Sequence, residues 1–266
     1  MTRLGGPMAD KPAVTKDDLK AGLASVGLGL GDVVAFHTSL SAFGYIEGGA
    51  DAVIDSVLET VGPQGTALAP TLTFAEKHGP QSPPEFDVRT TPSVTGRTPE
   101  AFRKRSGAVR SLHPTHSWTA LGARSLELTS GHEDVATPCG DGSPLSKLAA
   151  MGGKILMLGV DLHSCTFFHY CEEMARVPYH LQKLPTYCVM IDANGRTVER
   201  DCYLHFWGPE PKDFTKPEGE LLRLGIMRKA RVGSGEIRLL DARKTADFLI
   251  ERLRREPTYL LAANRG

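Results

Sequence analysis

The run Lys154-Ile155-Leu156-Met157-Leu158-Gly159-Val160 is followed directly by Asp161-Leu162-His163-Ser164-Cys165-Thr166-Phe167-Phe168-His169-Tyr170-Cys171-Glu172-Glu173-Met174-Ala175-Arg176. The first half is a short apolar run between two helical patterns, as expected of a strand buried on both faces. The second half opens polar and then turns helical. A strand feeding a polar loop and a helix is the unit of an α/β sheet, and open α/β sheets hold their ligands at the carboxyl ends of strands. His169 and Glu172 are three residues apart and so share one face of that helix. A carboxylate beside an imidazole raises its basicity and fixes its tautomer, which makes this pair a candidate general base.

Toward the N-terminus, Thr15 with Asp17 and Asp18 reads as the cap and acidic first turn of a helix ending near Val26. Gly27-Leu28-Gly29-Leu30-Gly31 has the wrong spacing for a dinucleotide fingerprint and precedes a strand instead of following one. That strand, Val33–Phe36, leads into His37-Thr38-Ser39-Leu40-Ser41, then Gly48-Gly49 and a periodic helix to Val61. Hydroxyls and glycines before a helix suit a phosphate, although ordinary capping would look the same. A second strand over 66–69 ends in Pro70-Thr71-Leu72-Thr73. Residues 76–99 are irregular and read as a substrate-site flap. Thr98-Pro99-Glu100 looks like cap, first turn and acid of another helix. Thr137 to Leu145 is a glycine-rich loop with Ser143 at a helix cap, Pro144 after it and Lys147 one turn in, a second candidate phosphate cradle.

Beyond Arg176, two strand patterns flank Asn194-Gly195, a hairpin signal. Two more flank Gly233-Ser234-Gly235, and an amphipathic helix closes the chain over 242–254. The expected fold class is α/β: a mixed central sheet flanked by helices, with an antiparallel C-terminal addition. One domain over 15–260 is expected, after a loose tail at 1–14.

The 266 residues carry 31 Lys+Arg against 31 Asp+Glu, and no dense basic run points to nucleic acid. No apolar stretch reaches the roughly 20 residues that span a bilayer. No signal peptide is evident, and five cysteines without a C-x-x-C suit reduced thiols, so a cytoplasmic protein is expected. His113, His116, Cys139, His163 and Cys165 match no standard zinc spacing, so no metal is expected. A hydrolase built on Ser117 or Cys165 would lack the G-x-S-x-G elbow.

Five segments, taken together and in order, resemble the aminoglycoside 3-N-acetyltransferase (antibiotic N-acetyltransferase) family. They are His37-Thr38-Ser39-Leu40-Ser41 with Gly44 and Gly48-Gly49; Gly65-Thr66 with Pro70-Thr71-Leu72-Thr73; Arg110-Ser111-Leu112-His113-Pro114; Gly142-Ser143-Pro144-Leu145; and Gly153 to Val160 with Thr166-Phe167-Phe168-His169 and Glu172. The resemblance spans roughly residues 15 to 260. It implies a fold distinct from the GNAT acetyltransferases, acetyl-coenzyme A as co-substrate, and direct transfer to an amine with His169 as base. Coenzyme A would be held by His37, Thr38, Ser39, Leu40 and Ser41, by Thr71 and Thr73, and by Ser143 and Lys147. A polycationic sugar would want carboxylates, for which Glu76, Glu173 and Asp213 are candidates, with His113 lining the pocket. The partner is then a small-molecule amine, and the protein a monomer or homodimer. A non-aminoglycoside amine as acceptor, or an idle ligand-binding relative, are the alternatives.

Overall fold

The computed structural model describes residues 13–208 and 210–262. Most of the expected tail, residues 1–12, lies outside the described residues. Val14, assigned to that tail, is instead buried, and its N–H donates to Tyr45 O at 2.9 Å.

Among the described residues the strands are β1 (Val33–Thr38), β2 (Thr66–Pro70), β3 (Glu85–Asp87), β4 (Val109–Arg110), β5 (Trp118–Gly122), β6 (Lys154–Leu158), β7 (Thr186–Ile191), β8 (Thr197–Cys202), β9 (Met227–Val232) and β10 (Gly235–Asp241). The helices are α1 (Lys16–Val26), α2 (Gly49–Val61), α3 (Arg97–Phe102), α4 (Ser125–Thr129), α5 (Pro144–Ala150), α6 (Phe167–Ala175), α7 (Glu218–Arg223) and α8 (Ala242–Arg255). None is long and apolar enough to cross a membrane.

The main sheet runs β4-β5-β2-β1-β6-β10-β9, with β2, β1 and β6 parallel at its centre and antiparallel strands on both flanks. Alternation along the central strands splits the core into two layers. Val33, Ala35, Ile155 and Met157 face a cluster with α4, α5, α6 and α8. Val34, Phe36, Leu156 and Leu158 face another with α1 and α2 and with Phe102 of α3. Burial on both faces is why these strands read as continuous apolar runs. From β1 the chain reaches β2 on one side and β6 on the other, so a crevice opens at their carboxyl ends.

Two readings gain detail. The antiparallel C-terminal part is split: β9 and β10 extend the main sheet, whereas β7 and β8 form a separate sheet with β3. That pairing removes β3 from the expected irregular flap. Arg110 pins the same segment by donating to Thr91 O at 2.6 Å while it also donates to Thr71 O at 2.7 Å and Ser117 Oγ at 2.9 Å. In addition α3 starts two residues earlier than Thr98 suggested, capped by Gly96 at φ 111°. Pro99 thus falls third in the helix, where a missing N–H still costs no bond.

Gly159, at the end of β6, has φ +68°, and a Cβ there would lie 2.7 Å from Ser39 O and 2.8 Å from Phe43 Cε2. Its N–H donates to Glu236 O, while Ser39 N–H donates to Leu158 O, both at 2.8 Å. The carboxyl ends of β1 and β6 therefore meet over a glycine. Gly159→Ala should destabilise the protein by about 2 to 4 kcal/mol through strain and overpacking. A urea titration followed by circular dichroism measures this.

Candidate active site

The first turn of α6 places His169 and Glu172 side by side, with Nδ1 2.8 Å from Glu172 Oε2. A carboxylate can only accept, so Nδ1 carries the proton and Nε2 keeps its lone pair. The Glu172 side chain is fully buried, while that of His169 keeps 17% of its surface exposed. Lys212 donates to the same Oε2 at 2.8 Å and lies 2.9 Å from His180 Nδ1. His180 stacks on His169 with ring centres 4.9 Å apart. His205 closes the cluster at 4.8 Å from His169 and 4.1 Å from His180.

Electrostatics separate the two adjacent carboxyl groups of α6. Burial acts to raise the pKa of Glu172, but the His169 and Lys212 bonds outweigh it and leave the group below the usual carboxylate value. Burial pushes Glu173 up to about 8. One carboxyl is thus ionised and its neighbour protonated at neutral pH. His169 is held below the ordinary imidazole pKa by burial first and by Lys212 second, against the opposing pull of Glu172. It rests as a free base, as a proton acceptor must.

Two depressions meet at this histidine. The larger, about 600 Å³, runs from His169 past His37, Thr38, Leu72 and Thr95 to Pro99. It continues along Ser39, Leu40, Ser41 and Arg97. The smaller, about 300 Å³, lies under the 205–214 loop and includes Tyr179, Glu210 and Lys212. His163, His169 and Trp207 border both. Trp207 stacks on Phe74 at 5.0 Å, forming an aromatic wall beside the exposed edge of His169.

The structure brings together only part of the expected site. His169 and Glu172 are brought into hydrogen-bond contact, and His37 to Ser41 line the larger groove and its continuation. Thr71 and Thr73 do not reach it: both are buried, donating to Ser117 O at 3.1 Å and Pro114 O at 2.8 Å. They fasten the 113–117 loop, while the alternating neighbours Pro70, Leu72 and Phe74 face the groove. Ser143 caps α5 from a fully buried position, its hydroxyl donating to Cys139 O, and Lys147 is bonded to Ser130 O. That loop packs behind the histidines: Cys139 N–H donates to Glu173 Oε1 at 2.9 Å. It offers no open cradle.

The substrate residues fare similarly. Glu76 is exposed but borders neither depression. Glu173 is buried against His205 at 3.1 Å. His113 is buried, its Nδ1 accepting from Thr115 and His116 N–H groups, so it shapes a turn. Asp213 accepts from Thr215 N and Oγ1 and stands 3.8 Å from His163. The hydrolase nucleophiles are also spent. Ser117 is fully buried and bonded, and burial pushes the Cys165 thiol up to about 12. All five cysteines are free and buried.

Sequence reading missed His180, His205 and Lys212. Each is isolated in a loop, and no spacing ties it to His169. Donor atoms of His169, His180 and His205 lie within 4.8 Å of one another, as do those of His116, Cys139 and His205. In the first group His169 and His180 are only 18° from parallel, and the Lys212 ammonium lies at His180 Nδ1.

A hydrogen-bonded His–Glu pair lies between two grooves at the carboxyl ends of parallel strands. The model of the family described as aminoglycoside 3-N-acetyltransferase matches residues 36–254, and the chain belongs to that family. The aminoglycoside N(3)-acetyltransferase VII of Streptomyces paromomycinus is 36% identical over 88% of this chain and 90% of its own length. Among solved structures, aminoglycoside acetyltransferase AAC(3)-Xa is 34% identical, with TM-score 0.79 over 93% of this chain and 94% of that one. AAC-IIIb in a binary complex with CoASH is 30% identical, with TM-score 0.77 over 92% and 97%.

The buried imidazoles make stability depend on acid. Burial lowers His37 to about 4 and His132 to about 3, and takes His113, His116, His180 and His205 well below their ordinary value. Unfolded imidazoles bind protons below about pH 6.5, whereas these do not, so stability is complete above that pH and lost below it. Glu173 works oppositely, weakening the fold between about 4.5 and 8, but it is one group against many. The urea midpoint should peak near pH 6.5, fall gently toward pH 8 and steeply below 6. Each histidine that stays neutral contributes up to about 1.4 kcal/mol per pH unit.

Proposed function

We propose that this chain transfers the acetyl group of acetyl-coenzyme A to the 3-amino group of an aminoglycoside, directly and with His169 as general base, and so confers resistance. The observation that carries this reading is the exposed edge of His169 standing where two grooves meet. Coenzyme A occupies the larger one, with its thioester toward His169 and its phosphates toward the Ser39–Ser41 loop and Arg97. CoASH in the AAC-IIIb complex and the aminoglycoside N(3)-acetyltransferase activity for which the relatives are named support both substrates. The acceptor amine enters from the smaller groove, beside Trp207 and Glu210.

The neutral amine attacks the thioester carbonyl with its lone pair, and His169 Nε2 removes the proton that the nitrogen must lose as it becomes cationic. The resulting imidazolium is stabilised by Glu172 at Nδ1. Collapse of the tetrahedral intermediate breaks the C–S bond, and the imidazolium returns its proton to the departing thiolate. No acyl-enzyme forms. The free thiols suit work in the reducing cytoplasm.

A second reading has one observation in its favour. Glu210 is the accessible carboxylate bordering the smaller groove, whereas Glu173 is buried and Glu76 lies elsewhere. An amine less cationic than an aminoglycoside would fit that balance. Thiol release from acetyl-coenzyme A, measured over aminoglycosides with and without a 3-amino group, decides between them. Activity confined to those that carry it is expected. Thiol release with a simple amine alone would favour the second acceptor. His169→Gln should lower kcat by about 10² to 10⁴, the usual worth of a general base. Its KM for acetyl-coenzyme A should stay within a few-fold of wild type.

A further inference from the structure

The sequence pairs His169 with Glu172, and in that pair burial favours a neutral imidazole while the carboxylate pulls a proton onto it. An ionised carboxylate with no solvent exposure needs a positive partner, and an imidazole 2.8 Å away is the nearest one to hand. With no other cation near it, that carboxylate would stabilise a proton on His169 and tie up the lone pair the amine needs.

A third group changes that balance. Lys212 Nζ is 2.8 Å from Glu172 Oε2, the oxygen that also accepts from His169. An ammonium has no lone pair, so its 2.9 Å contact with His180 Nδ1 requires His180 Nδ1 to accept. The His180 proton therefore sits on Nε2, and its 3.2 Å approach to Glu172 is not a hydrogen bond. Only His169 N–H and Lys212 then bond this oxygen.

Lys212 is firmly placed for the purpose. Its backbone pairs with Leu261, Asp213 N–H donates to Leu260 O and Ala262 N–H donates to Pro211 O, each of these two at 2.7 Å. Its ammonium also lies over the rings of Tyr179 and Phe214, 5.6 and 5.7 Å from their centres. We propose that Lys212 is a positioning residue for acetyl transfer: it holds Glu172 ionised and aimed at Nδ1, so that His169 rests neutral with Nε2 presented to the amine. This rests on His169 being the base.

The other groups around His169 do not supply that charge. Glu172 faces it from α6, Tyr179 and His180 from the 177–182 segment, and His205 from the Lys212 loop. His116 lies behind His205, and His163 borders both depressions. Burial holds His116, His180 and His205 neutral.

The test is the ring-nitrogen NMR titration of histidine-labelled protein without acceptor, with the His169 signal assigned from its loss in His169→Gln. In Lys212→Met the His169 midpoint should rise by about one pH unit or more, a tenfold or greater change in proton affinity. The kcat of Lys212→Met should be depressed at pH 6.5 and recover toward wild type above pH 8. Lys212→Arg should keep the wild-type midpoint. An unmoved midpoint in Lys212→Met with native circular dichroism would overturn the proposal, and so would a raised acceptor KM as the sole change. If Lys212→Met fails to fold, Lys212→Gln gives the same reading. Since the titration needs no acceptor, it stands apart from whether an aminoglycoside is the substrate.

Discussion

A single carboxylate removed from water governs this site. Glu172 is fully enclosed, yet it is surrounded by groups that favour its ionised form, and the neighbouring elements are arranged around that charge. His169 faces it from one turn earlier on the same helix. Lys212 reaches it from a loop 40 residues further along. His180 is set in one tautomer by that lysine, and its other nitrogen is turned toward Glu173. Two successive acids on one helix thus hold opposite protonation states because one meets the Lys212 ammonium and the His169 N–H, and the other a backbone N–H and a neutral imidazole.

The sheet explains why these groups converge where a substrate can reach them. Parallel β2, β1 and β6 end on the same side, and each end delivers one wall of the crevice: Leu72 and Phe74, then His37 to Ser41, then the turn into α6. The antiparallel flanks contribute differently. β5 fills the interior with Trp118, against which His37 packs edge-on at 5.9 Å. β10 lays an antiparallel edge along β6, and Glu236 accepts the N–H of Gly159 at the mouth of the crevice.

Much of this was legible in the residues. The apolar runs at 33–36 and 154–158 mark strands buried on both sides, the Asn194-Gly195 turn marks a hairpin, and the i,i+3 spacing of His169 and Glu172 brings them into contact. Local patterns carry local geometry well. They fail wherever a polar residue has two possible clients. Thr71 and Thr73 looked like ligand hydroxyls, but the backbone carbonyls of a neighbouring loop claim them. Ser143 is a true helix cap, and capping alone does not say whether the cap faces solvent. Lys212 and the two loop histidines had no signal, because their partners are distant in sequence and irregular segments bring them together.

The pairing of β1 with β6 joins residues more than a hundred positions apart, and the clamp on Lys212 comes from residues 260–262. The order of assembly follows from that wiring. Long loop closures must be completed before the parallel centre is rewarded with its ladder, so such a sheet forms late and as a whole. The charge balance around Glu172 is completed only when the last described turn docks onto the Pro211–Asp213 segment. The setting of the buried charge is thus shared between α6 and a segment some ninety residues further along the chain.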